Sequence, residues 1–145
     1  MKIIEKDFDK VSAFASKALD AHTASILGES TPAKQTFAFE LTIDGEVCGG
    51  VTGKFMSEHL HVSQLVIKEE HRGKDFGSQL LVTIEKRGIE AGANVITVST
   101  QCFQALDFYK KHDYQVFAQL DDVPWKGVIK YYLTKCVERE VAKSH

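Results

Sequence analysis

"LHVSQLVIKEEHRGKDFGSQLL", residues 60–81, decides how this chain folds. Leu60 to Ile67 is an apolar, β-branched run of strand length. From Gly77 to Ala91 the apolar residues Leu80, Leu81 and Ile84 recur at helical spacing. Between the two lies Arg72-Gly73-Lys74-Asp75-Phe76-Gly77-Ser78. The first N–H groups of a helix have no partner inside it and carry the positive end of its dipole. Glycines let the backbone approach a ligand closely, and Arg72 and Lys74 add two positive charges. Strand, turn and helix mouth together suit a phosphate or pyrophosphate. The turn matches neither G-x-x-x-x-G-K-[ST] nor G-x-G-x-x-G. A solvated basic turn capping a surface helix accounts for the heptapeptide alone equally well.

Upstream, "TFAFELTI" and "VCGGVTGKF" flank "DGE" and read as a hairpin. "KIIEK" reads as a short first strand, and Phe8, Val11, Phe14, Ala15, Ala18 and Leu19 follow helical spacing. "LGESTPAKQ" reads as a loop. Downstream, "AGAN" stops the helix and "VITVS" is a buried strand. Gln101 to His112 is a second helix, with Ala105, Phe108, Tyr109 and His112 on one side. "YQVFAQL" and "GVIKYYLTK" are the last strands. This order predicts an α+β protein with a single mixed, mostly antiparallel central sheet flanked by helices. Residues 1–136 are expected to form one domain and 137–145 a solvated tail.

The composition narrows the class. With 145 residues the chain suits one domain with a real core, and 43% hydrophobic with 26% charged residues is a globular profile. No apolar run approaches the roughly 20 residues that span a bilayer. The N-terminus "MKIIEKDFDK" is charged where a secretory segment would be apolar. A net charge of −2 gives no push toward nucleic acid. Cys48, Cys102 and Cys136 are odd in number and widely spaced, which argues against a disulfide framework or a four-cysteine zinc site. A cytoplasmic protein without a membrane or nucleic-acid partner is expected.

The chain resembles the GNAT superfamily of acyl-CoA-dependent N-acyltransferases. That family's motif [Q/R]-x-x-G-x-[G/A] follows a strand and opens a helix; here it reads Arg72-x-x-Asp75-x-Gly77. Its later N-x-x-A-x-x-F-Y helix and K-x-G-[FY] end correspond to "CFQALDFYKKHDY", Cys102 to Tyr114. The likeness covers roughly Thr36 to Leu133. It implies an N-acetyltransferase fold with acetyl-CoA as cosubstrate. Leu65, Val66 and Ile67 would bind the pantetheine arm and thioester through their backbone. Arg72, Gly73, Lys74, Asp75, Phe76, Gly77 and Ser78 would cradle the pyrophosphate.

Tyr109 matches the tyrosine that protonates the departing thiolate, a task suited to a phenol of pKa about 10. Core packing alone would also account for it. Cys102 stands where the family commonly has asparagine, so a side-chain amide toward the cofactor is lost; Gln101 or Gln104 could take its place. Asp75 stands where glycine is usual, and a carboxylate there should repel a pyrophosphate. His61 holds the place of a strand glutamate that some members use as general base, and an imidazole suits that task near neutral pH. His59 shares its face, but no third ligand at recognisable spacing accompanies the pair, and no metal is expected. In "AQLDDVPWKG", Asp121, Asp122 and Trp125 suggest a small-molecule or peptide amine acceptor, since carboxylates and aromatic faces attract ammonium groups. The alternative function is a non-catalytic CoA-binding or regulatory domain. The oligomeric state stays open, a homodimer included.

Overall fold

A computed structural model of the chain describes residues 1–28, 32–101 and 103–137. It divides into two compact units, Met1–Ala33 and Lys34–His145. The first carries α1, Phe8–Leu27. Asp7 caps it, its carboxylate accepting from the Lys10 N–H at 3.2 Å. Gly28 closes it in the left-handed region at φ 75°, donating to the Ala24 carbonyl. The expected strand in "KIIEK" does not form; residues 1–7 take no regular structure. Ile3 and Ile4 are its only apolar residues, and a strand that short needs a pairing ladder, which none of the described residues gives it.

In the second unit a six-stranded sheet runs β1-β2-β3-β4-β6-β5. The strands are β1 Gln35–Ile43, β2 Glu46–Met56, β3 His59–Ile67, β4 Val95–Thr100, β5 Gln115–Asp121 and β6 Ile129–Cys136. Every neighbouring pair is antiparallel except β3 with β4. The β1–β2 turn puts Asp44 at φ 50° and Gly45 at φ 80°, the two positive angles that a tight Asp-Gly hairpin requires. The parallel β3–β4 pair needs a crossover, and α2, Phe76–Ala91, supplies it.

The α2 helix packs its Leu80, Leu81 and Ile84 side against β1, β2 and β3. The approach is close enough to demand a glycine. A Cβ on Gly88 would lie 2.6 Å from Leu60 Cδ2 and 3.3 Å from its Cβ. The core gathers Val51, Val62, Ile96 and Leu133 with these helix residues. A second helix, α3 Phe103–Lys111, adds Leu106 and Tyr109. One buried carboxylate, Glu85, is fully answered. It accepts from the Tyr114 hydroxyl at 2.7 Å and from Lys135 Nζ at 3.2 Å, as a buried charge must be.

Candidate active site

The ladder between β3 and β4 is short. Only His59, Leu60 and His61 pair, with Val95, Ile96 and Thr97. In β3, Val62 faces Gly53 and Gln64 faces Thr52, so Ser63 is the extra residue of a bulge. A bulge bends its strand and ends regular pairing. Beyond it β3 and β4 diverge and leave a cleft of about 530 Å³. Leu65, Val66, Val98, Gln101 and Tyr109 are among the residues that line it.

Which main-chain groups face the cleft follows from one hydrogen bond. The Lys68 N–H donates to Cys48 O on β2 at 2.8 Å. Alternation along the strand therefore turns the main-chain groups of Val66 toward β2 and those of Leu65 and Ile67 away from it, to the side β4 has left. Of Leu65, Val66 and Ile67, the first offers both its backbone groups and the last its amide, and the Val66 amide belongs to the sheet. The Ile67 carbonyl is held by Arg72 Nε at 3.0 Å. This fixes the end of the strand against the turn.

Beside Ile67 opens a second cavity of about 540 Å³. Arg72, Gly73, Asp75, Phe76, Gly77 and Ser78 line it from the turn, and Gln104, Asp107 and Lys111 from α3. The first hydrogen bond of α2 runs from Gln79 N–H to Asp75 O. The amides of Phe76, Gly77 and Ser78 therefore lie ahead of the helical ladder, ready for an anion. Gly73 at φ 78° and Asp75 at φ 69° both occupy the left-handed region. Asp75 takes the N-cap position but makes no side-chain cap bond, so it does not compete for those amides. Lys74 lies in the turn but does not line the cavity.

Tyr109 is 6% exposed, wedged edge-on against Phe108 and Tyr114 at 5.2 and 5.6 Å. Burial pushes its phenol up to about 12. Tyr114 is raised also, by burial and then by the Glu85 carboxylate. His61 does not line the cleft. Its Nδ1 lies 2.8 Å from Thr97 Oγ1, which also meets His59 Nε2 at 2.6 Å. Burial lowers its pKa, followed by the charges of His59, Lys54 and Lys130. Thr97 was missed by the sequence reading; only the strand register brings it opposite His61.

Asp121 ends β5 opposite Ile129, and Thr100 pairs with Tyr131. The loop 122–128 thus leaves the sheet at the end where β3 and β4 diverge. Asp122 Oδ1 accepts from the Gly127 N–H at 2.7 Å and is engaged in holding that loop. Trp125 is exposed. Cys102 lies outside the described residues. Among the described residues no group of three or more His, Cys, Asp or Glu side chains could hold a metal ion, and no helix is long and apolar enough to cross a membrane.

The sheet is thus splayed between two strands, with a helix mouth and a buried tyrosine beside the opening. Residues 3–114 match the Acetyltransferase (GNAT) family, and the chain belongs to it. It is 31% identical over 121 residues to the blasticidin-S acetyltransferase of Streptomyces morookaense, covering 83% of this chain and 88% of that protein. An acetyltransferase of Bacillus cereus ATCC 14579 superposes with a TM-score of 0.83 at 32% identity, covering 94% and 99% of the two chains. An aminoglycoside 6′-N-acetyltransferase complexed with coenzyme A superposes at 0.64 with 15% identity, covering 72% and 74%, a likeness of fold.

Proposed function

We propose that the chain transfers an acetyl group from acetyl-CoA to a primary amine by direct attack within a ternary complex. The observation that most supports this is the cleft itself, where β3 has left its ladder with β4 and Leu65 faces an opening walled by Tyr109. The two cavities follow one another along β3, with Ile67 in one and Leu65 in the other. The fit is a pyrophosphate at the first turn of α2 and a thioester farther back along the strand. The bound donor supplies an activated carbonyl and a thiolate leaving group.

The chain's own groups do the rest. The Leu65 amide stabilises charge on the carbonyl oxygen, and the Ile67 amide, farther along the strand, faces the pantetheine arm. Tyr109, held protonated at neutral pH by its buried position, gives a proton to the departing thiolate. His61, kept neutral by its lowered pKa, takes the proton of the amine through intervening water. Asp121, with Asp122 bracing the loop, draws a cationic acceptor toward the diverging end of the sheet.

The test is thiol release from acetyl-CoA with polyamines, amino sugars, lysine peptides and blasticidin S, the last because of the relative's name. Amine-dependent release is expected from at least one class. A second reading, a non-catalytic CoA-binding domain, is favoured by the Asp75 carboxylate in the phosphate cavity. Saturable CoA binding with no release from any amine would establish it.

A further inference from the structure

Of the two neutral side-chain donors in the first turn of α2, Ser78 and Gln79, Ser78 lines the cavity beside that turn. The other neighbour of its hydroxyl is His112, whose Nε2 lies 2.9 Å from Ser78 Oγ. His112 follows the last residue of α3, does not line the cavity, and has its ring tilted on Phe108 at 4.9 Å. It meets the residues that line the cavity at two points, by packing on Phe108 and by its side chain's one polar contact among the described residues, Ser78.

The shared hydrogen bond has two senses. A serine hydroxyl carries one proton, which can point one way only. When Ser78 donates to His112 Nε2, nothing is left for a phosphate in the cavity. When His112 donates, Ser78 accepts with a lone pair and its O–H is free for the cavity. A neutral imidazole allows both senses, according to its tautomer. A protonated imidazole carries N–H on both nitrogens and allows only the second.

The geometry points to His112 as a positioning residue that turns the Ser78 hydroxyl toward the phosphates of the CoA donor, more completely when protonated. This rests on the donor site described under Proposed function. The other charged or titratable groups around the pair are known. Asp107 and Lys111 line the cavity from α3, and Asp113 follows His112 in the chain. His71, Arg72 and Asp75 line it from the turn. All of them are retained in the variants below.

The experiment measures CoA affinity by calorimetry between pH 5.5 and 8.5 for the parent, His112→Gln, Ser78→Ala and the double variant. Gln extends a neutral amide toward the position of Nε2; with both a donor and an acceptor it allows both senses, as the neutral imidazole does, and it does not titrate. The 3′-phosphate of CoA titrates near pH 6 too, and subtracting the Gln profile removes that contribution along with those of the retained groups. The expected result is a parent-minus-Gln difference that grows as pH falls, reaching about threefold to tenfold, the size of one hydrogen bond. Ser78→Ala should abolish the difference, so that the double variant equals Ser78→Ala alone. Melting temperatures without ligand report whether each variant is folded. Superimposable parent and Gln profiles, or a difference that survives in Ser78→Ala, would overturn the inference and leave the donor site standing. No CoA binding by the parent at any pH would overturn both.

Discussion

Four aspartates occupy positions where the backbone favours glycine: Asp44 at φ 50°, Asp75 at φ 69°, Asp113 at φ 69° and Asp122 at φ 59°. Aspartate tolerates the left-handed region better than most residues, at some cost. The consequence differs among them because only Asp75 lines the cavity at the first turn of α2, where the phosphates of CoA are proposed to bind. Asp75→Asn keeps the backbone preference and removes the charge, so CoA affinity should rise several-fold, in line with roughly 1 kcal/mol between charges a few ångströms apart in water. Asp75→Gly should match it, and the gain should shrink with salt. Calorimetry at two ionic strengths decides, and unchanged affinity in both variants would mean that the carboxylate faces away. Tyr109 is the second residue on which the reading turns. Tyr109→Phe retains the ring contacts to Phe108 and Tyr114 and removes only the proton donor. We expect kcat to fall by about 10²–10⁴-fold with little change in melting temperature. In the parent no alkaline limb from Tyr109 should show in the neutral range, because its pKa lies near 12. An acid limb from His61 should lie below the ordinary histidine value, since burial and neighbouring cations lower it. His61→Gln should erase that limb, and a limb that persists would assign it elsewhere.

At the scale of elements, the β3 bulge at Ser63 opens the cleft. Before it, β3 pairs with β4; after it, alternate main-chain groups have no strand to bond. Hydrogen exchange should report this directly. The amides of Leu65 and Ile67 should exchange faster than that of Val66, which turns to β2, and CoA should slow them selectively. Equal protection with and without CoA would place the donor elsewhere. None of this was legible in "LHVSQLVI", because a bulge of ordinary residues leaves no mark on an apolar run. The strand itself was legible, as were α2, α3 and the Asp-Gly hairpin, since periodicity and turn chemistry are local. "KIIEK" failed for the converse reason: strand formation depends on a partner that no short segment encodes. The turn 72–78 was readable because a helix mouth is itself a local feature. The links Ser78–His112 and His61–Thr97 were not, being 34 and 36 residues apart in the chain.

At the scale of the whole molecule, the two cavities draw on β3, the turn, α2, β4 and α3, all within Lys34–His145. These elements are joined by the core but diverge at the cleft, so a ligand lying along β3 adds contacts that only the folded unit can make. Such a ligand stabilises by mass action, by about 2.7 kcal/mol at a hundredfold excess over Kd. For a unit of this size that corresponds to a rise of roughly 10 °C in melting temperature. We expect CoA to produce a shift of this order in the parent. Tyr109→Phe should keep it, because in the proposed reaction the phenol acts on the leaving group and not on the phosphates; that separates a chemical defect from a binding one. ATP offers phosphates and adenine but no pantetheine arm for Leu65 and Ile67, so at equal concentration it should give a clearly smaller shift. If ATP matched CoA, the main-chain groups of β3 would contribute nothing to donor binding, and the helix mouth would be a general phosphate site. If millimolar CoA gave no shift at all, the donor assignment would fall, whatever the fold resembles.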